Sequence, residues 1–504
     1  MNKSYSKLIS NREVNGSVNA AQTKGVLSPE GKLRTNLSAT VDLRKNENLE
    51  HNSSMIKNHK TKQNINREVN GNVNAAQTKN LVRELLHAAE QGDAETQCYL
   101  GAMYANGDGV PKDSAKAAYW CRKAAEQGFA AAQFFLGGIY RKGEGVPKDT
   151  TEAVKWYRKA ADQGIASAQH NLGLMYFLGE GLPKDSTKAV KWCRLAADQG
   201  HASAQFNLGY MYGNGDGVPK DSTKAVKWYR LAADQGDAGA QFNLGLMYKN
   251  GDGVRKNNAE AVKWYRLAAD QGHANAQFNL GVMYAIGNGA PKDSAEAVKC
   301  FRKAAEQGEA HAQSMLGAMY NEGRGVPKDT TEAVKWYRKA AEQGEALAQF
   351  NLGGMYYKDN GVPQDYAEAV KWYRKAAEQG FARAQFMLGN MYFVGEGVRK
   401  NFAEAVKWYR LAAEQGDADA QFILGGIYYV GEAVRKNSAE AVKWFRKAAE
   451  QGYADAQLIL GGMYHHGDGV RKNSAEAVKW SRLAAEQGDA DAQDILNHYY
   501  KCAA

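Results

Sequence analysis

A glutamine returns at Gln97, Gln133, Gln169, Gln205, Gln241, Gln277, Gln313, Gln349, Gln385, Gln421, Gln457 and Gln493, always 36 residues further on. A period kept without insertion or deletion marks a stack of identical supersecondary pieces, each of which buries its apolar face only against its neighbours. Read from Ala130 to Gly164, one repeat is AAAQFFLGGIYRKGEGVPKDTTEAVKWYRKAADQG. Eleven full repeats occupy residues 93–488, a half-repeat covers 81–92, and a terminal helix is expected over 489–502. The period therefore overrides the usual expectation of several separate domains from 504 residues.

Each repeat reads as two helices. In the first, from about Phe129 to Lys142, small and apolar residues recur at helical spacing. Gly137 and its equivalents sit mid-helix, where glycine costs about 1 kcal/mol against alanine, so another helix backbone is expected to come close there. After the glycine-rich turn GEGVPKD the second helix begins at a cap, Asp149, and that slot holds Asp or Asn in all eleven repeats. Eight repeats place Glu three residues later, which resembles a capping box; Lys116, Lys188 and Lys224 take that place in the others and should cap more weakly. Gly164 is expected to close the helix in the left-handed conformation. All ten tryptophans share the slot of Trp156, which reads as core, with about 3–5 kcal/mol lost on truncation. Cys300 stands there in the one repeat without tryptophan and predicts an underpacked joint.

The net charge of +10 is unevenly spread. Residues 1–80 hold 13 Lys+Arg against 6 Asp+Glu, leaving 52 against 49 for the repeats, too balanced for a phosphate-tracking stripe. Nucleic acid is therefore not an expected partner. The first 80 residues are polar and basic, lack Trp and Phe, and read as a disordered tail containing its own duplication, 11–24 and 66–79. Cys98, Cys121, Cys193, Cys300 and Cys502 fall in different slots without CxxC spacing, so neither a disulfide framework nor a zinc site is indicated. No apolar run is long enough for a Sec signal or a membrane span, which predicts a cytoplasmic protein with export by a non-Sec route left open.

The pattern Ala-x-Ala-Gln-Phe-x-Leu-Gly-x-Met-Tyr, the turn Gly-x-Gly-Val-Pro-Lys-Asp and the helix Ala-Val-Lys-Trp-Tyr-Arg-Lys-Ala-Ala-Glu-Gln-Gly together resemble the Sel1-like repeat, a relative of the tetratricopeptide repeat. The resemblance covers residues 81–502 and implies an all-α right-handed superhelical solenoid of antiparallel helix pairs, with first helices on the concave side. It also implies a scaffold or adaptor for other proteins, often bacterial. Departures are local: Asp359 and Ala433 replace turn glycines, Ala290 a turn valine, and Arg255, Arg399, Arg435 and Arg471 the turn proline.

Catalytic signatures are lacking: no HExxH, GxxxxGK[ST], GxSxG or strand-borne GxGxxG occurs. Some cysteine-rich relatives bind or weakly hydrolyse β-lactams, but SxxK occurs only at Ser4–Lys7 and Ser54–Lys57 in the tail and KTG is missing. The expectation is a non-enzyme without cofactor or metal; His465 and His466 are adjacent and do not face one another as ligands. If the function is binding, the site lies where repeats differ. By likeness to tetratricopeptide arrays, the concave slots are those of Ala131, Phe134, Gly138, Arg141 and Lys142. Phe134 and its equivalents are either peptide-contacting rings or core. The variable slots nominate Phe177, Tyr210, Lys249, Tyr357, Asn390, Phe393, Tyr429 and His465 as partner contacts, with Tyr357, Phe393 and Tyr429 in three successive repeats as the first choice. A protein or peptide in that groove is the expected partner; the alternatives are weak β-lactam binding or hydrolysis, as the likeness to the cysteine-rich relatives implies, and a secreted host-directed effector with the same binding mode.

Overall fold

In a computed structural model of the chain, the described residues are 75–431, 434–494 and 496. The tail up to residue 74, with the first copy of the duplicated segment, and half of the expected terminal helix fall outside them. Among the described residues the structure is helical throughout, with no strand. A lead helix, Ala75–Glu90, begins inside the stretch read as disordered tail, and residues 75–79 of the second duplicated copy belong to it. Pairs then follow in the order Ala94–Asn106 with Ser114–Glu126, Ala130–Lys142 with Thr150–Asp162, and so on to Ala454–His466 with Ser474–Glu486. From Ala94–Asn106 to Asn258–Asp270, and again from Ala310–Glu322 to Ser474–Glu486, each first helix packs on the second helix of its own repeat and second helices pack on the next first helix. The described chain divides into an N-terminal body, residues 75–283 and 287–291, and a C-terminal body, residues 284–286 and from 292 onward.

The second helices start as their caps dictate. The side chain at the Asp149 slot accepts a backbone N–H in every repeat, from Asp113 to Asn473. The reciprocal arm of a capping box is not made, however, because the cap's own N–H donates to the preceding Tyr140 carbonyl at 2.9 Å. Glu152 instead pairs with Lys155 at 2.6 Å. Nor do the lysine repeats lose their caps: Lys188 and Lys224 return to Asp185 and Asp221 at 3.1 Å, replacing the acidic arm with a surface ion pair. The helices end with Gly164 at φ 89°, its N–H on the Ala161 carbonyl at 3.0 Å and that of Ile165 on Ala160 at 3.2 Å.

Two expectations about packing change. The most deeply buried side chain is the one after tryptophan: Tyr157, Tyr229, Tyr265, Tyr409 and Phe445 are 0–2 % exposed. That ring lies across the mid-helix glycine, where a Cβ on Gly137 would come within 2.7 Å of Tyr157. Glycine thus makes room for a ring. The partner-helix backbone comes close as well: the Ala117, Ala189 and Ala261 carbonyls lie 3.2, 3.1 and 3.3 Å from a Cβ on Gly101, Gly173 and Gly245, beside Cys121, Cys193 and Tyr265. The tryptophans lie at the seam with the preceding repeat; Trp372 packs on Val334, Tyr337 and Ala341, and Trp156 on Ala124 and Ala125. Six are buried, but Trp156, Trp192, Trp228 and Trp336 are half-buried, and the Lys159 and Lys339 ammonium groups lie over Trp156 and Trp336 at 4.2 Å.

The period-marking glutamine has a structural task. Gln133, 4 % exposed, donates to the Ala125 carbonyl at 3.1 Å and accepts from Gln163 at 2.8 Å. The same two bonds recur within each body, as at Gln97 with Gln127, Gln205 with Gln235, Gln349 with Gln379 and Gln457 with Gln487. A buried amide so placed satisfies a helix-terminal carbonyl of the preceding repeat, which otherwise costs about 1–3 kcal/mol.

Candidate functional site

In every repeat but 346–381 the first helix ends at a left-handed glycine, and the turn beyond it lies on the start of the preceding second helix. A Cβ on Gly145 would fall 2.0 Å from the Ser114 carbonyl, so only glycine permits that contact. This contact fixes where the Arg141 slot, at the end of the helix, sits relative to the next repeat. Side chains there reach the turn one repeat on: Arg141 meets Glu180 at 3.2 Å, Asn321 accepts from Asn360 at 3.1 Å, and Tyr429 donates to Asp468 at 3.5 Å. The slot therefore forms a row along each body, half-buried at every candidate position.

In the C-terminal body this row turns aromatic. Tyr357 meets Tyr366 at a tilt of 58° with ring centroids 5.3 Å apart, and Phe393 meets Phe402 edge-on at 5.2 Å and Tyr409 at 6.5 Å. Tyr357, Tyr366 and Phe393 all pack, half-buried, against one hydrophobic cluster. Val394 and Val430 lie beside them, 54 % and 37 % exposed. Burial first, then the Glu396 carboxylate that accepts its hydrogen bond, pushes the Tyr357 hydroxyl upward; burial and Asp468 do the same for Tyr429. Both phenols stay protonated donors at neutral pH. The backbone is also distinctive, since Asp359 at φ 54° is the one non-glycine with positive φ among the described residues. The helix Ala346–Tyr357 is one residue shorter than its equivalents, and Gln364 donates to the Tyr357 carbonyl at 2.9 Å and to the Tyr366 hydroxyl at 3.0 Å.

The Sel1 repeat family model matches eleven consecutive stretches, from 94–129 and 130–165 through to 418–453 and 454–489. The chain belongs to the Sel1 repeat family. A protective antigen present in uropathogenic Escherichia coli strains, with an SLR fold, is 40 % identical over 85 % of this chain and 91 % of its own, with a TM-score of 0.77. A Sel1 repeat protein from Oxalobacter formigenes is 39 % identical over 62 % of this chain and 90 % of its own, with a TM-score of 0.49. A comparison with curated proteins gives no match. Sel1 solenoids generally act as protein-interaction scaffolds and are typically non-catalytic. No helix among the described residues is long and apolar enough to cross a membrane.

Within the Sel1 array the nominated residues separate into groups. Phe177 and Tyr210 meet edge-on at 6.2 Å in the N-terminal body, with Lys184 over Phe177 at 5.5 Å. Lys249 reaches Asn279 at 3.4 Å, and burial lowers its pKa. Asn390 accepts from the Tyr409 hydroxyl at 2.7 Å, because its slot lies where the buried tyrosine ends; this residue serves the core as well as the face. His465 and His466 have centroids 4.7 Å apart at 78°, so the adjacent rings do touch. The Phe134 slot is mostly core, with Phe206, Phe242, Phe386 and Phe422 at 3–9 % exposure. Tyr366 and Phe402 were missed from sequence. Their slot is Ser, Thr or Asn in the other nine repeats, and both rings fall in the same repeats as Tyr357 and Phe393. Paired departures within a repeat were the available signal.

Proposed function

We propose that this Sel1 array is a non-catalytic scaffold that seats a protein or peptide on the first-helix side of its C-terminal body, with Tyr357, Phe393 and Tyr429 as anchors. The observation that carries the reading is the run of half-buried rings at one slot in successive repeats, extended by Tyr366 and Phe402 and bordered by exposed Val394 and Val430. Rigid aromatic rings on paired helices lose little entropy when covered and supply most of the energy of protein interfaces. Proximity labelling with the full chain, compared with a Tyr357→Ala/Phe393→Ala/Tyr429→Ala variant that keeps its helical signal, tests the placement. Loss of specific partners supports it, and an unchanged partner set refutes it. A host-derived partner is a second reading, favoured by the 40 % identical Escherichia coli chain, which is described as a protective antigen. Detection of the protein in culture medium, set against a cytoplasmic marker, decides that point.

A further inference from the structure

Ahead of the second helix, four repeats carry Arg-Lys-Asn where the others carry Pro-Lys-Asp or Pro-Gln-Asp: 255–257, 399–401, 435–437 and 471–473. Arg and Asn change together in every case. The exchange removes the cap's negative charge and adds a positive one, so each turn goes from neutral Pro-Lys-Asp to doubly positive Arg-Lys-Asn. Capping does not demand it, because Asn401, Asn437 and Asn473 accept the same N–H that Asp would, at 3.1 Å. A negative cap would also suit the helix N-terminus better. What the exchange alters is the electrostatic field. Three of the four turns stand in consecutive repeats of the C-terminal body, and Arg399, Lys400, Arg435, Lys436, Arg471 and Lys472 are all exposed. Along the helices that follow, Glu404 pairs with Lys407, Glu440 with Lys443 and Glu476 with Lys479, each at 3.5 Å, and in the turns themselves Glu396 and Asp468 accept from the Tyr357 and Tyr429 hydroxyls. Among the described residues Arg399, Arg435 and Arg471 have no ion-pair partner.

We propose that this basic turn edge docks an acidic protein segment, one whose carboxylates alternate with apolar side chains; the inference rests on the reading of the neighbouring aromatic row as a protein-binding face. The two surfaces are continuous, with Lys400 over Phe402 at 4.6 Å, Phe402 against Phe393 at 5.2 Å, and Lys436 over Tyr429 at 5.6 Å. Each of the repeats 382–417 and 418–453 therefore offers a ring beside an Arg-Lys pair. The chain's own first 80 residues are excluded as occupant by sign, since they carry 13 Lys+Arg against 6 Asp+Glu. Nucleic acid and anionic membrane present unbroken negative charge, which would also face Glu404, Glu440 and Glu476 one turn further along. Spaced carboxylates on a peptide avoid that repulsion.

The chain itself supplies the control. Arg399→Pro, Asn401→Asp, Arg435→Pro, Asn437→Asp, Arg471→Pro and Asn473→Asp together restore the turn found in six of its other repeats. A second variant, Arg399→Gln/Arg435→Gln/Arg471→Gln, leaves the caps untouched. The probes are a fluorescein-labelled Glu/Phe peptide, its Gln/Phe counterpart, an oligothymidylate and phosphatidylserine vesicles, each titrated with the full chain at two salt concentrations. The Glu/Phe peptide should bind in a salt-sensitive way and lose roughly tenfold in affinity in either variant. Failure of that peptide to bind, equal affinity in wild type and variants, or tighter binding of oligothymidylate or vesicles abolished by the same exchange overturns the proposal. The Tyr357→Ala/Phe393→Ala/Tyr429→Ala variant separates the two readings. If it releases the peptide while both turn variants retain it, the aromatic face stands and the basic edge falls.

Discussion

At the slot shared by Arg141 and Tyr357, the N-terminal body carries Arg141, Phe177, Gly213 and Lys249, and the C-terminal body carries Asn321, Tyr357, Phe393, Tyr429 and His465. One slot behind tryptophan the contrast disappears. Tyr157, Tyr229 and Tyr265 in one body and Tyr337, Tyr373 and Tyr409 in the other are buried to the same 0–3 % exposure. The comparison separates what stacking requires from what it tolerates. A side chain wedged over a mid-helix glycine has one shape to fill, whereas a side chain that reaches the next repeat's turn can be cationic, amide or aromatic without moving either helix.

The severest way to break the comparison is to attack the shared slot in both bodies. Tyr229→Ala and Tyr409→Ala should each cost about 3–5 kcal/mol, measured by denaturant unfolding, and equally in the two bodies. Trp336→Ala, at a half-buried seam, should cost less, about 1–3 kcal/mol. If tryptophan proved the costlier loss, the ranking of the two slots would be wrong.

A difference confined to the N-terminal body lies at His170, where seven of the other ten repeats place Phe. Its ring is buried, stacked on His201 at 4.8 Å and 2.9 Å from Asn207. Burial first, then the charges of His201 and Arg141, lowers its pKa from 6.5 to about 3. The folded state thus binds the proton less readily than the unfolded one. Stability from this site is complete above the unfolded value and falls as pH drops below it. By pH 5 the loss should reach about 2 kcal/mol. Replacing His170 by Phe, the residue of Phe206 and Phe242, should flatten the melting temperature between pH 7 and 5. An unchanged slope would remove His170 from the account.

For binding, the comparison sharpens to one slot in two settings. Phe393→Ala should weaken a partner by roughly tenfold, about 1.4 kcal/mol, and Phe177→Ala should leave it unchanged. Partner titrations read both, and equal losses would spread the site over both bodies. The helix pairs, caps and terminal glycines were legible in the sequence because each depends on residues local to one repeat. What was hidden depends on neighbours in space. The role of Gln133 requires knowing that the Ala125 carbonyl faces it. Glu152 looked like the second arm of a capping box until the Tyr140 carbonyl was seen to take the cap's N–H. Tyr366 became part of the site only when found against Tyr357, and Asn390 left the purely functional group only when found under the Tyr409 hydroxyl.

That hydroxyl provides a subtler contrast. Tyr409 has Asn390 as acceptor at 2.7 Å, while the buried Tyr265 hydroxyl, with Leu246 in the equivalent slot, has no partner. Tyr409→Phe should therefore cost about 1 kcal/mol and Tyr265→Phe should be neutral or stabilising. Similar costs for both would show that Asn390 adds nothing to the core.

The smallest effect belongs to the caps, where the two bodies differ in charge. Asp185 and Asp221 have their pKa values lowered, first by the backbone N–H of Lys188 and of Lys224 and then by those ammonium groups. A carboxyl depressed in the folded state stabilises above its unfolded value and loses that contribution as pH falls through the folded one. The aspartate caps therefore weaken only in strong acid, whereas the Asn caps at 401, 437 and 473 do not titrate at all. Asn437→Asp should raise stability at pH 7 by about 0.3–1 kcal/mol through the helix dipole. The gain should vanish below the carboxylate range and shrink in salt. If Asn437→Asp is instead destabilising at neutral pH, the cap and the Arg435-Lys436 pair are not independent, and the joint exchange of Arg and Asn would then answer to folding as well as to charge.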